Sequence, residues 1–180
     1  MTRWTVHGER VVDDRRRARL SIADVELPDG VRFEQYVIRA PRSAMVAVLD
    51  ERERLLLMRR HRFVLDRWVW ELPGGYVDDD EQPATCAVRE VEEETGWRPG
   101  PLEPLLSFQP WVSTADAENL IFLARDATHI GAPTDVNETE RVAWIPLEDA
   151  RELVSQGEIV GAGTVIAVLE LVARKARGEL

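Results

Sequence analysis

The segment GYVDDDEQPATCAVREVEEETGW, residues 75–97, sets a glycine turn ahead of a helix whose acids crowd its C-terminal end. Its spacing is G-x5-E-x7-R-E-V-x-E-E-x-G-W. Pro83 suits the first turn of a helix and Gly96 its C-terminal stop, so the helix is predicted over Pro83–Thr95. Ala84, Ala87, Val88, Val91 and Thr95 recur at helical spacing, and this face is predicted to pack on a sheet. Glu90, Glu93 and Glu94 stand at i, i+3 and i+4, on a face predicted to lie roughly opposite. Like charges at this spacing cost a few tenths of a kcal/mol per pair, and the negative end of the helix dipole adds to that. Arg89 offsets part of the cost by pairing with Glu93. A merely solvated charged face leaves the Gly74-Gly75 turn and the placement of the acids unexplained. A hard divalent cation accounts for both, because magnesium takes carboxylate and carbonyl oxygens and joins protein to substrate phosphates. The Gly74 carbonyl is the backbone oxygen placed to contribute.

Working outward, residues 68–72 form a short apolar strand that ends at Pro73-Gly74-Gly75. Apolar runs at 45–49 and 55–58 flank a polar turn and are predicted to pair as a hairpin in the central sheet. Runs at 20–27 and 31–38 flank Pro28-Asp29-Gly30, a turn signal. Downstream, strands are predicted at 105–108, 119–124 and 141–145, then helices at 147–155 and 162–177. Residues 114–117 and 126–138 read as loops. The fold class is α/β (α+β): a mixed central β-sheet between helices, with an extra N-terminal antiparallel strand segment. The 180 residues fit one domain, with residues 1–40 as the strand segment and 41–180 as the core.

The formal net charge of −10 argues against general binding to nucleic acid or anionic membrane. Arg15-Arg16-Arg17 follows two aspartates and reads as a solvated strand or turn. Cys86 is the sole cysteine, expected to be a small buried or half-buried residue and unreactive. The N-terminus shows no apolar signal region and no apolar run is long enough to span a bilayer, so a cytoplasmic location is expected.

The segment 75–97 fills every defined position of the Nudix box and is identified as that signature. The resemblance implies hydrolysis of a nucleoside diphosphate linked to another group, using Mg2+ or Mn2+. It implies that Glu90 and Glu94 are the main metal ligands, with Glu93 a further ligand or the base acting on water. It further implies that the Gly74 carbonyl completes the metal site, that Arg89 orients the glutamates, and that Glu81 fixes the loop entering the helix.

The flanks resemble the ADP-ribose pyrophosphatase branch. In LLLMRRHRF…WVWELPGG the matching positions are Arg62, implied to contact the diphosphate or a ribose, and Glu71. The N-terminal segment implies a homodimer and a base pocket, with Trp4 either stacking on the base or simply packed. Downstream, Pro110 and Glu118 resemble branch positions, while Trp111 stands where the branch often has glycine and either lines the substrate pocket or packs in the core. The loop at 135–140 resembles the branch's mobile acidic loop, whose catalytic glutamate corresponds to Glu138, with Glu140 as the alternative. ADP-ribose or a related nucleoside diphosphate sugar is the implied substrate. A nucleoside triphosphate or dinucleoside polyphosphate pyrophosphatase, or a non-catalytic ADP-ribose sensor, are the rivals.

Overall fold

A computed structural model describes residues 3–135 and 139–180. In chain order the elements are β1 (Thr5–Asp13), β2 (Arg19–Glu26), β3 (Arg32–Arg39), β4 (Ser43–Val48), β5 (Arg54–Arg62), β6 (Arg67–Glu71), β7 (Gly74–Tyr76), α1 (Pro83–Thr95), β8 (Trp97–Pro99), β9 (Glu103–Phe108), β10 (Ala115–Asp116), β11 (Asn119–Ala124), β12 (Ala127–His129), β13 (Arg141–Pro146), α2 (Leu147–Ser155) and α3 (Ala162–Ala176). No helix among the described residues is long and apolar enough to cross a membrane.

The chain divides into two units. The first takes the chain up to Arg42 together with Phe108–Glu118. Its sheet has the order β1-β2-β3-β10. Gly30 closes the β2–β3 turn at φ 88°, where the Leu27 N–H donates to the Val31 carbonyl at 2.8 Å. Only glycine takes that φ without steric cost, which is why Pro-Asp-Gly reads as a turn. Ser21, Ala23 and Val25 alternate as the buried face of β2. Arg15 folds back on Asp13 at 2.5 Å as a solvated turn.

The second unit takes Ser43–Ser107 and Asn119–Leu180. One sheet has the order β7-β4-β11-β9, with β4 and β11 parallel from Ser43↔Asn119 to Val48↔Ala124. Another runs β13-β5-β6, and β12 pairs with β8. Helix α1 packs on β4 and β7, while α2 and α3 pack on each other. The expected hairpin of β4 with β5 does not form: they share only the bridge Leu49↔Leu55 and enter different sheets. Both are apolar on both faces, with Val46, Ala47, Val48, Leu55, Leu56 and Leu57 fully buried. Such strands need partners on both edges. Strand β4 takes β7 and β11, and β5 takes β6 and β13.

The helix occupies Pro83–Thr95 as its spacing predicts, with Gly96 in the left-handed conformation at its C-terminus. Its buried stripe is turned from the expected one. Cys86, Ala87, Val91, Glu94 and Thr95 are buried, Ala84 is exposed and Val88 half-buried. Glu94 therefore lies within the packed face rather than opposite it, because its carboxylate is bonded by β5 of one sheet and β7 of another. Cys86 is fully buried and its thiol points at the Tyr76 carbonyl, 3.3 Å away. Burial pushes that thiol up to about 12, leaving it without thiolate character near neutral pH.

Candidate active site

Strand β7 brings Gly74 and Gly75 under the last turns of α1. The Gly74 N–H donates to Glu94 Oε2 at 2.8 Å. A Cβ on Gly75 would stand 2.4 Å from Glu90 Oε1, so the missing side chain is the hollow that holds the Glu90 carboxylate. A Cβ on Gly74 would stand 2.4 Å from the Ala44 carbonyl oxygen of β4. Both glycines are thus required by close approach, one of a side chain and one of backbone.

Arginines partition the glutamates. Arg89 forks onto Glu81 with two bonds of 3.0 Å. It also donates to Glu90 at 2.8 Å and to Glu93 at 3.1 Å. Arg60 of β5 donates to Glu94 Oε1. Glu94 is 3% exposed, and burial pushes its carboxyl up to about 7 despite Arg60 and the Gly74 amide. Burial likewise raises Glu90, against the pull of Arg89. Glu93 is exposed, and its backbone carbonyl accepts from the amides of Thr134 at 2.9 Å and Asp135 at 3.1 Å. These bonds satisfy a helix-end carbonyl and tether the following loop to α1.

Arg60 escaped the sequence reading, although a signal for it existed. It shares its side of β5 with Leu56 and Met58 in the period-two pattern, and a charge on that side demands a buried partner. Beside it, Arg62 grips Glu71 through Nε at 3.1 and 3.0 Å and Nη2 at 2.5 Å. These residues line a cavity of about 810 Å³ shared with Phe63, Trp68 and Glu140. That volume falls in the range of small-molecule sites. Glu140 pairs with Arg59 at 3.4 Å, and its amide is bonded to the Arg59 carbonyl.

The structure thus gathers Gly74, Glu90 and Glu94 on one turn, with Arg89 bonded to Glu90 and Glu93, and joins Arg62 to Glu71. Trp4, Trp111 and Glu118 belong to the first unit. There Trp4 meets Phe33 edge-on at 5.7 Å and Trp111 is exposed, while Glu118 is half-buried. Glu138 lies outside the described residues.

Residues 39–162 match the NUDIX domain. The chain belongs to the Nudix family. This Nudix hydrolase is 50% identical, over 93% of its length and 81% of the relative's, to the CMP-5'-(N-acetyl-N-hydroxy-3-aminopropyl)phosphonate hydrolase of Streptomyces rubellomurinus. It is 30% identical to an ADP-ribose pyrophosphatase of Bacillus subtilis, over 87% of this chain and 86% of that one. A solved ADP compounds hydrolase superposes with a TM-score of 0.85, covering 99% of this chain and 97% of the other at 21% identity, which speaks to fold. The chain is a Nudix hydrolase related to ADP-ribose pyrophosphatases, in a family that generally uses divalent metal ions and acts on small-molecule nucleotides.

The donor set of this Nudix hydrolase fits such an ion. Glu90 and Glu94 offer hard oxygens beside a glycine turn, and both carboxylates are desolvated beyond what their arginines offset. Among the described residues no three acidic, histidine or cysteine side chains are already gathered around one point. The glutamates are instead distributed over Arg60 and Arg89.

Proposed function

We propose that the chain hydrolyses the diphosphate of ADP-ribose or a related nucleoside diphosphate sugar, with Mg2+ or Mn2+, giving AMP and ribose 5-phosphate or their equivalents. The observation that carries this reading is the seating of Glu90 and Glu94 on the Gly74–Gly75 turn, against the hollow that glycine leaves. In this reading Glu90, Glu94 and the Gly74 carbonyl hold the cation. When bound, the cation polarises the diphosphate and lowers the pKa of water. Glu93, exposed at the helix end, is a further ligand or takes the proton from the attacking water, and Glu138 is the other candidate for that step. Arg89 orients Glu90 and Glu93 through its shared guanidinium. Arg62, held flat by Glu71 at the cavity wall, presents a planar donor set to a phosphate or ribose.

The 50% identical relative favours a second substrate, a nucleoside 5'-phosphate joined to a phosphonate. Both readings place a nucleotide on one side of the bond and a second phosphorus group on the other. A panel with Mg2+ separates them: ADP-ribose, a nucleoside diphosphate sugar, a cytidine 5'-phosphate phosphonate anhydride and a nucleoside triphosphate. Turnover of the first pair supports the first reading, and turnover of the third alone supports the second. Fast turnover of the triphosphate alone refutes both.

The same reading makes the chain a cytoplasmic homodimer assembled through the N-terminal strands, with Trp4, Trp111 and Glu118 serving the substrate. Size-exclusion light scattering is expected to return a dimer mass. A monomer mass at working concentration removes that part of the reading.

A further inference from the structure

Arg60 lies almost wholly inside the protein, its side chain 5% exposed against 4% for Glu94. The two are in direct hydrogen-bond contact through Arg60 Nη2 and Glu94 Oε1. The other oxygen of Glu94 is taken by the Gly74 N–H. The carboxylate assigned above to the metal is therefore already paired with a cation of the protein's own. A divalent ion placed on the same carboxylate meets the guanidinium at short range and with little water between them. Like charges at that range repel strongly in a protein interior. A second acid stands next to the guanidinium and would share it with Arg62: Glu71 Oε2 is 3.9 Å from Arg60 Nε and 2.5 Å from Arg62 Nη2, and Glu71 is 13% exposed.

We propose that Arg60 is a built-in counter-cation that holds the Glu94 carboxylate in the metal-free protein and that a divalent cation must displace, Glu71 receiving the released guanidinium. The inference rests on the metal-dependent reading above. It makes Arg60 a positioning residue with an unusual sign. It protects the folded metal-free chain, and it weakens metal binding. A residue that merely orients Glu94 for the metal would do the reverse, and a purely structural arginine would leave the affinity unchanged.

Mn2+ titration of the full chain, read by electron paramagnetic resonance and by calorimetry, tests this. Arg60→Gln is expected to bind Mn2+ about tenfold or more tightly than wild type, from the lost repulsion. Its metal-free Tm is expected to fall and its Mn2+-induced rise in Tm to grow. Glu71→Gln, which removes the receiving acid, is expected to bind Mn2+ several-fold more weakly, about threefold or more. Equal or weaker affinity in folded Arg60→Gln overturns the proposal. If that variant does not fold, unchanged affinity in Glu71→Gln overturns it instead. Wild-type protein that takes up no Mn2+ overturns the metal reading and this inference together. Wild-type binding with no gain in Arg60→Gln overturns this inference alone.

Discussion

Glu94→Gln is expected to stay folded and to hydrolyse its substrate at least about 10²-fold more slowly than wild type. The substitution keeps the shape of the side chain and removes its charge. Two donors converge on Glu94, Arg60 on Oε1 and the Gly74 N–H on Oε2. An amide has a single oxygen, so one donor is left facing an NH2 group. Arg60 also loses the counter-charge at its tip. Breaking such a buried pair costs about 3 kcal/mol. Against a whole-domain stability of about 5–15 kcal/mol, the protein survives. Its Tm is expected to fall by roughly 6–12 °C at this chain length. Glu92→Gln is the matched control. Glu92 lies two residues earlier on the outer side of α1 and pairs with Arg98 at 2.5 Å. Its loss is expected to change stability by no more than about 0.5 kcal/mol and to leave the rate unchanged. Steady-state kcat/KM with Mg2+ and thermal melts by circular dichroism check both. Wild-type turnover by folded Glu94→Gln would remove this carboxylate from the mechanism.

Gly74→Ala and Gly75→Ala are expected to fail in different ways, although they are neighbours. A Cβ at Gly74 meets backbone: the Ala44 carbonyl oxygen at 2.4 Å and Met45 Cα at 2.6 Å. Strand β4 is the buried centre of its sheet and cannot retreat, so the β4–β7 pairing must open. The expected cost is about 3 kcal/mol or more, at the upper end for overpacking. The nearest atoms to a Cβ at Gly75 are those of the Glu90 carboxylate, at 2.4 to 2.7 Å. That side chain rotates away at small cost, about 1 kcal/mol. Its oxygens then leave the turn. Gly75→Ala is thus expected to keep most of its thermal stability and lose most of its activity, about 10²-fold. Gly74→Ala is expected to lose stability first. Melting curves beside kcat/KM distinguish the two. Equal losses of stability in both variants would contradict this assignment of the two hollows.

Much of the molecule was legible in the residues themselves. The bounds of α1, β11 and α2 follow from local signals: Pro83 and Gly96, the apolar run ending at Ala124, and the amphipathic stretch after Pro146. The Pro28-Asp29-Gly30 turn is likewise local. What escaped depends on partners distant in sequence. Strands β4 and β5 read as a hairpin because adjacency in sequence favours one. Their true neighbours are set by burial on both faces. The buried stripe of α1 was misjudged because Glu94 carries a charge, and its burial is offset by Arg60, 34 residues upstream, and by the Gly74 amide, 20 residues upstream. Strand β7, with two glycines among its three residues, has no propensity signal and exists because β4 offers an edge.

The parallel pairing of β4 with β11 has a consequence for how the chain is made. Ser43 and Asn119, which open the two strands, are 76 residues apart. The helix that carries the glutamates is synthesised between them. During translation β4 therefore waits for its partner for about 4–15 s, at ordinary elongation rates. Over that interval the apolar edge of β4 is exposed to chaperones and to other nascent chains. Vectorial synthesis, rather than the finished sheet, sets the period of greatest risk for aggregation.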